Sequence, residues 1–323
     1  MNQEKFKFPS SDGIHETAVY LYADEHVTPV AVMQLSHGMS EYIERYEWFA
    51  SYFTARGWIV CGNDHIGHGN SVDPSEYGRF HREDLLGDLK KVNDILHQRY
   101  PELPVILYGH SMGSFFARWY AEMYPDTIKA LVLSGTGGPM PAAIAGAALA
   151  GILAKTHPEG YVSMNLVKMS FGAYNNRIPN ARTNTDWLSR DNAVVDAYNA
   201  DPKAGFYFTA QGYHEMLKTL VHVNDPKWAK AMPKDLPILL IAGAEDPVGD
   251  YGEGVRKVAR MLIDAGAKNV TTSIRAGARH ELHNEIDKED QMLVVAKWLH
   301  QQGFGYVDAL TEPAAAAEGS EEG

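Results

Sequence analysis

The sequence predicts an α/β fold, a mostly parallel central sheet with helices on both faces and an inserted helical cap. Short continuous apolar runs carry the first part of that prediction: Val105-Ile106-Leu107-Tyr108, Leu131-Val132-Leu133 and Ile238-Leu239-Leu240-Ile241 have the length and composition of strands buried on both sides. Amphipathic stretches between them carry the second. Leu85, Leu86, Leu89, Val92, Ile95 and Leu96 recur at helical spacing and reserve one stripe for the sheet. Strand and helix in alternation form a βαβ series, whose functional site lies at the C-terminal ends of the strands.

Taken in order, residues 5–8 and 17–21, around the turn Ser11-Asp12-Gly13, read as an antiparallel hairpin at the edge of the sheet. Residues 30–35 and 58–61 supply the next strands. The run at Val105 follows, and then the one at Leu131. From there about a hundred residues pass before the strand at Ile238, far more than an ordinary connection needs. The excess is the cap. The boundaries are therefore 1–138 and 228–310 for the core and 139–227 for the cap. Residues 311–323, rich in alanine, glutamate and glycine, read as a disordered acidic tail.

A serine marks the corner after the third parallel strand. Gly109-His110-Ser111-Met112-Gly113 joins the run at Val105 to the amphipathic stretch Phe115, Phe116, Trp119, Tyr120. A hydroxyl at such a corner projects clear of the sheet, ready to attack a carbonyl, and flanking glycines let strand and helix pass. A nucleophilic serine needs a base and an acid that orients the base, with the acid earlier in the chain. Asp246 is the candidate acid, at the end of the run 236–243, and the turn Asp246-Pro247-Val248-Gly249 suits a short, rigidly held carboxylate. Its neighbour Glu245 is the alternative. His280 is the candidate base, on the loop Ala276-Gly277-Ala278-Arg279 after strand 270–274, with His283 as competitor at the start of the last helix. The amides of Met112 and Met39 are the candidate oxyanion donors; Gly38 permits the sharp turn and His37 buttresses the loop.

Together the segments His37-Gly38-Met39-Ser40-Glu41-Tyr42, Asp64-His65-Ile66-Gly67-His68-Gly69-Asn70-Ser71, Gly109-His110-Ser111-Met112-Gly113, Asp246-Pro247-Val248-Gly249-Asp250 and Arg279-His280-Glu281 resemble the monoacylglycerol lipase and lysophospholipase branch of the α/β-hydrolases. The resemblance spans nearly the whole chain. It implies nucleophile, acid and base roles for Ser111, Asp246 and His280, and a single-chain acyl ester as substrate. One departure is Ser40-Glu41-Tyr42, where lipases of this group commonly have Gly-Glu-His.

Asp64, His65 and His68 invite a metal reading, but a glycine-rich turn whose aspartate ties down backbone amides accounts for them, and the serine mechanism has no task for a metal or other cofactor. In the cap, residues 141–153 are apolar nearly all round and too short to span a membrane, so the segment is expected to be buried or to line a pocket. Ile144, Leu149 and Leu153 then form either a wall for an acyl chain or plain packing. A net charge of −12 argues against nucleic acid or an anionic membrane surface as partner. A single cysteine, Cys61, and a start without a signal peptide's apolar core lead to the expectation of a cytoplasmic protein. The expected chemistry is that of a serine carboxylester hydrolase. A proline-iminopeptidase-like peptidase, with cap carboxylates converging on the serine, and a non-catalytic ligand receptor are the alternatives.

Overall fold

The hairpin forms as expected: β1 (Asn2–Pro9) runs antiparallel to β2 (Glu16–Ala23). Five further strands continue in parallel from β4: β3 (Ala31–Ser36), β5 (Val105–His110), β6 (Ala130–Ser134), β7 (Ile238–Gly243) and β8 (Val270–Arg275). β4 (Trp58–Asn63) itself pairs antiparallel with β2. The sheet order is β1-β2-β4-β3-β5-β6-β7-β8. This computed structural model describes residues 1–305; the acidic tail 311–323 and the last core residues, 306–310, lie outside the described residues.

Between the strands run α1 (Glu47–Thr54), α2 (Arg82–Arg99) and α3 (Met112–Met123). An insertion between β6 and β7 carries α4 (Pro141–Thr156), α5 (Met164–Phe171), α6 (Asn192–Ala200), α7 (Ala210–Val223) and α8 (Pro226–Ala231). The chain closes with α9 (Glu253–Asp264) and α10 (Lys288–Gln301). Because successive strand side chains point to opposite faces, each central strand feeds two cores. Leu107, Leu131 and Leu240 pack with Phe116 of α3 and Val258 of α9. On the other face Ile106, Val132 and Ile241 meet Phe49 of α1 and Trp298 of α10. Every residue of β3 to β7 is buried, which is why these strands read as unbroken apolar runs.

Two expectations are corrected. His283 does not begin the last helix: it lies in a short 3-10 turn, Leu282–Asn284, and α10 starts only at Lys288. Glu281 holds that turn, its carbonyl accepting from the Asn284 amide at 2.8 Å and its carboxylate from the Asn284 side chain at 2.8 Å. Nor is α4 buried all round. Its small residues Ala143, Gly146, Ala147 and Ala150 face inward, against α7, while Ile144 is 63% and Leu149 37% exposed. At about 3.6 residues per turn, Ile144 and Leu153 stand on opposite sides of the helix, so the three residues cannot form one wall. Leu149 and Leu153 share a flank, and Leu153 packs against the core.

Candidate active site

β5 passes into α3 through Ser111, held at φ 51°, ψ −122°, a positive-φ conformation rare outside glycine. The corner is clamped on both sides: the Ser111 amide donates to the Ser134 carbonyl at 2.9 Å, and the Ser114 hydroxyl donates to the Ser111 carbonyl at 2.6 Å. A side chain at Gly113 would strike the Ser36 and His37 carbonyls, so glycine is what lets α3 lie against the end of β3.

Asp246 follows β7 and is fully buried, whereas Glu245 points to solvent. One Asp246 oxygen accepts from the Val248 amide at 2.9 Å; the other lies 2.9 Å from His280 Nδ1. A carboxylate facing this nitrogen only accepts, so Nδ1 carries the proton and Nε2 is the basic nitrogen. Burial lowers the affinity of His280 for a second proton, but the charge and hydrogen bond of Asp246, helped by Glu281 and Glu41, outweigh it and leave the pKa above the ordinary value. The His280 ring lies 4.7 Å from that of His110, the residue before Ser111. The structure thus joins Asp246 to His280 and brings His280 beside the serine corner, while the Ser111 hydroxyl makes no hydrogen bond to His280. His283 is stacked on Tyr46 at 4.4 Å with neither ring nitrogen partnered, and burial pushes its pKa down to about 3.

The loop after β3 approaches the serine closely. A Cβ on Gly38 would stand 3.2 Å from Ser111 Cβ and 2.6 Å from a Glu41 oxygen. His37 Nδ1 donates to the Gly38 carbonyl at 2.8 Å and its Nε2 accepts from the His65 amide at 2.9 Å, which fixes a neutral ring; burial, with His65 and His68 nearby, keeps its pKa well below the usual value. Among the described residues, neither the Met39 nor the Met112 amide has a hydrogen-bond acceptor.

Arg45 spans the site from one loop to the other. It donates to Glu41 at 2.6 Å and grips Glu281, the neighbour of His280, at 2.9 and 2.8 Å. Burial works against ionisation of both carboxylates; the two-pronged Arg45 contact overcomes it at Glu281, whereas Glu41, beside that second negative charge, stays above its ordinary value. Glu41 also accepts from the Gly38 amide at 2.5 Å and from the Tyr46 hydroxyl at 2.8 Å. Sequence reasoning assigned Arg45 and Glu281 no part. The spacing Glu41–Arg45 was the available signal, one suited to an ion pair.

Asp64 behaves as a turn anchor, accepting from the Ile43 and Asn70 amides, each at 2.8 Å, and from the Tyr20 hydroxyl at 3.1 Å; burial pushes its pKa up to about 6. No cluster of three or more metal-ligating residues occurs among the described residues. The insertion meets the site directly. The Trp187 carbonyl accepts from the His280 amide at 3.4 Å and the Leu188 carbonyl from the Glu281 amide at 2.7 Å, and the Trp187 ring lies 5.0 Å from that of His280. Ser40, on the opposite loop, donates its hydroxyl to the Phe206 carbonyl at 2.6 Å. In the sequence the segment Asp186-Trp187-Leu188-Ser189-Arg190-Asp191 resembles cap segments of bacterial relatives, but nothing in it assigns Trp187 a chemical part.

The sheet, the strained serine corner and the buried Asp–His pair are those of an α/β-hydrolase. Residues 27–287 match the family described as serine aminopeptidase, S33, and the chain belongs to that family. It is 30% identical over 278 residues to a monoacylglycerol lipase of Mycolicibacterium smegmatis, covering 84% of this chain and 88% of that protein. It is likewise 30% identical over 267 residues to the monoglyceride lipase of Homo sapiens, covering 80% and 78%. A thermostable carboxyl esterase from Bacillus coagulans, solved with glycerol, superposes with a TM-score of 0.86 at 29% identity over 94% of this chain and 99% of that one. The protein is a hydrolase of the lipase and esterase type. No helix among the described residues is long and apolar enough to cross a membrane.

Proposed function

We propose that the protein is a serine carboxylester hydrolase acting on monoacyl esters such as a monoacylglycerol or a lysophospholipid. The observation that carries this reading is the buried hydrogen bond from His280 Nδ1 to Asp246, set beside a serine in a strained strand-to-helix corner. Ser111 attacks the ester carbonyl while His280 Nε2 takes its proton, and the Met39 and Met112 amides stabilise the oxyanion. The alcohol leaves with the proton from His280, and water, activated by the same nitrogen, releases the acid. Asp246 keeps His280 in the required tautomer. Residues 139–227 act as the cap, and the α4 flank bearing Leu149 and Leu153 receives the acyl chain.

The peptidase alternative needs a cap carboxylate left over to bind a substrate amine. Glu159 pairs with Arg79, Asp186 accepts from Thr183 and the Arg182 amide, Asp191 and Asp225 cap helices, Asp196 pairs with Arg182, Asp201 accepts from Tyr42, and Glu215, whose buried Oε2 takes no hydrogen bond among the described residues, is paired with Arg82 at 3.7 Å. These engagements favour the ester. The test is hydrolysis of a dodecanoyl glycerol against an aminoacyl anilide, together with labelling by a fluorophosphonate: ester turnover and an adduct on Ser111 are expected, and an adduct on another serine, or turnover of the anilide alone, overturns the proposal.

A further inference from the structure

Arg118 is fully buried and, among the described residues, faces no carboxylate. A guanidinium in that position loses much of its hydration without an opposite charge in return, and burial pushes its pKa down to about 9. An apolar side chain would fill the space at less cost, so what the guanidinium does with its donors matters.

Nε has no hydrogen-bond partner among the described residues, and the two Nη groups donate to the two places where the insertion joins the core. Nη1 donates to the Gly137 carbonyl at 3.0 Å, on the connection leaving β6. Nη2 donates to the Val223 carbonyl and, at 3.1 Å, to the Asn224 side chain, on the connection returning from α7. Val223 is the last residue of α7, where unpaired carbonyls form the negative end of the helix and favour a cation. The link continues into α8: the Trp228 indole donates to the Arg118 carbonyl at 3.0 Å, and its ring lies 4.4 Å from the guanidinium. Arg118 itself sits in α3, the helix that Ser111 opens. A planar fork reaches acceptors on two chain segments at once; a lysine ammonium at this depth cannot span both.

We propose that Arg118 is a positioning residue that fastens both connections of the insertion to the nucleophile's helix and thereby sets how the insertion sits over the site. Its effect on selectivity rests on the ester-hydrolase reading above. An acyl chain long enough to lie along the insertion feels its placement; an acetyl group, held at the serine and the oxyanion donors, does not.

The test compares Arg118→Met and Arg118→Lys with the wild-type full chain by hydrogen exchange and by kinetics. In both variants, exchange in peptides covering 137–140 and 220–226 should quicken at least tenfold while β5 and β6 keep wild-type protection. For the dodecanoyl ester kcat/KM should fall at least tenfold, mainly through KM, with the acetyl ester within twofold, and lysine should not rescue. Unchanged exchange at those two segments, rescue by lysine, or equal loss for both esters overturns the proposal. Should the Arg118 variants not fold, Asn224→Asp, which keeps an acceptor for Arg118 but loses the amide donor to the Leu220 and Gly137 carbonyls, must leave exchange at 137–140 near wild type, and Asn224→Ala, which also loses the acceptor, must quicken it; equal exchange in the two is equally fatal. Wild-type protein that hydrolyses neither ester refutes the ester reading alone, because the exchange measurement still decides the role of Arg118.

Discussion

The loops at the C-terminal sheet edge and the α4–α7 pair within the insertion above them are held by different forces. At the edge, directional polar contacts dominate: Arg45 between Glu41 and Glu281, Asp64 accepting three hydrogen bonds, His37 with both nitrogens engaged. Such bonds fix distance and angle, and buried ones are costly to leave unmade. In the insertion, α4 lies on α7 through Ala143, Gly146, Ala147 and Ala150, and turns Ile144, Leu149 and Ile152 outward. Small side chains interlock little, so the second interface specifies position far less tightly. On the proposed function, the chemistry, which tolerates small errors poorly, falls to the first region, and the surface for a long, flexible acyl chain to the second.

The sharpest way to break this contrast is at the proposed catalytic group. Ser111→Ala and His280→Ala should each lower ester turnover on the order of ten-thousandfold or more, since such residues act as a unit, with thermal unfolding little changed. His283→Ala should do the reverse, leaving most of the turnover and costing about 1–3 kcal/mol of stability as the stack on Tyr46 is lost. Equal kinetic damage from both histidine variants would remove the distinction between them.

Next in size is Arg45→Met. It strands two buried carboxylates, and urea unfolding should show a loss of about 3–5 kcal/mol. A loss below about 1 kcal/mol, the range of an exposed pair, would mean that the edge does not depend on its polar contacts. The insertion should respond more gently. Leu149→Asp is expected to lower kcat/KM about tenfold for a dodecanoyl ester, roughly the worth of one or two buried methylenes, and to spare the acetyl ester. Ile144→Asp, on the opposite flank, should spare both. If the two aspartates act alike, the α4 flank has no special part in binding.

Much of the candidate site is legible in the sequence because each of its parts is local. Ser111, Asp246 and His280 stand just past short strand-like runs, and turn chemistry around each one is written in adjacent residues. The Arg45–Glu281 contact joins residues 236 positions apart, and no periodicity in either segment points to the other. α4 misled for a different reason. Alanine and glycine count as apolar in a pattern, but they contribute so little surface that an all-apolar helix can bury its smallest residues and leave its largest ones outside. His283 reads as a helix start because the helical residues Leu293, Val294, Trp298 and Leu299 follow it, whereas the Glu281 hydrogen bonds close a tighter turn there.

The smallest effect is on pH dependence. The proposed base, His280, must be unprotonated to accept the serine proton, and Asp246 and the nearby glutamates raise its affinity for protons above the burial penalty. Acylation should therefore fall with acid at a midpoint above the free imidazole value of about 6.5, as read from the pH profile of kcat/KM. A midpoint below that value would show that burial wins, and that the carboxylates of the edge do not reach the base.

The contact at Gly113 gives the site a common datum. α3 rests on the carbonyls of Ser36 and His37, and the chain leaving that same strand end turns within two residues into Met39. A displacement of β3, whether from thermal breathing of the sheet or from a load on the insertion, carries the serine helix and the facing amide in the same direction. Their absolute positions drift together while their separation is conserved, much as two gauges bolted to one plate stay aligned when the plate moves. Warming should accordingly blur the site as a whole before it alters the spacing on which bond making depends.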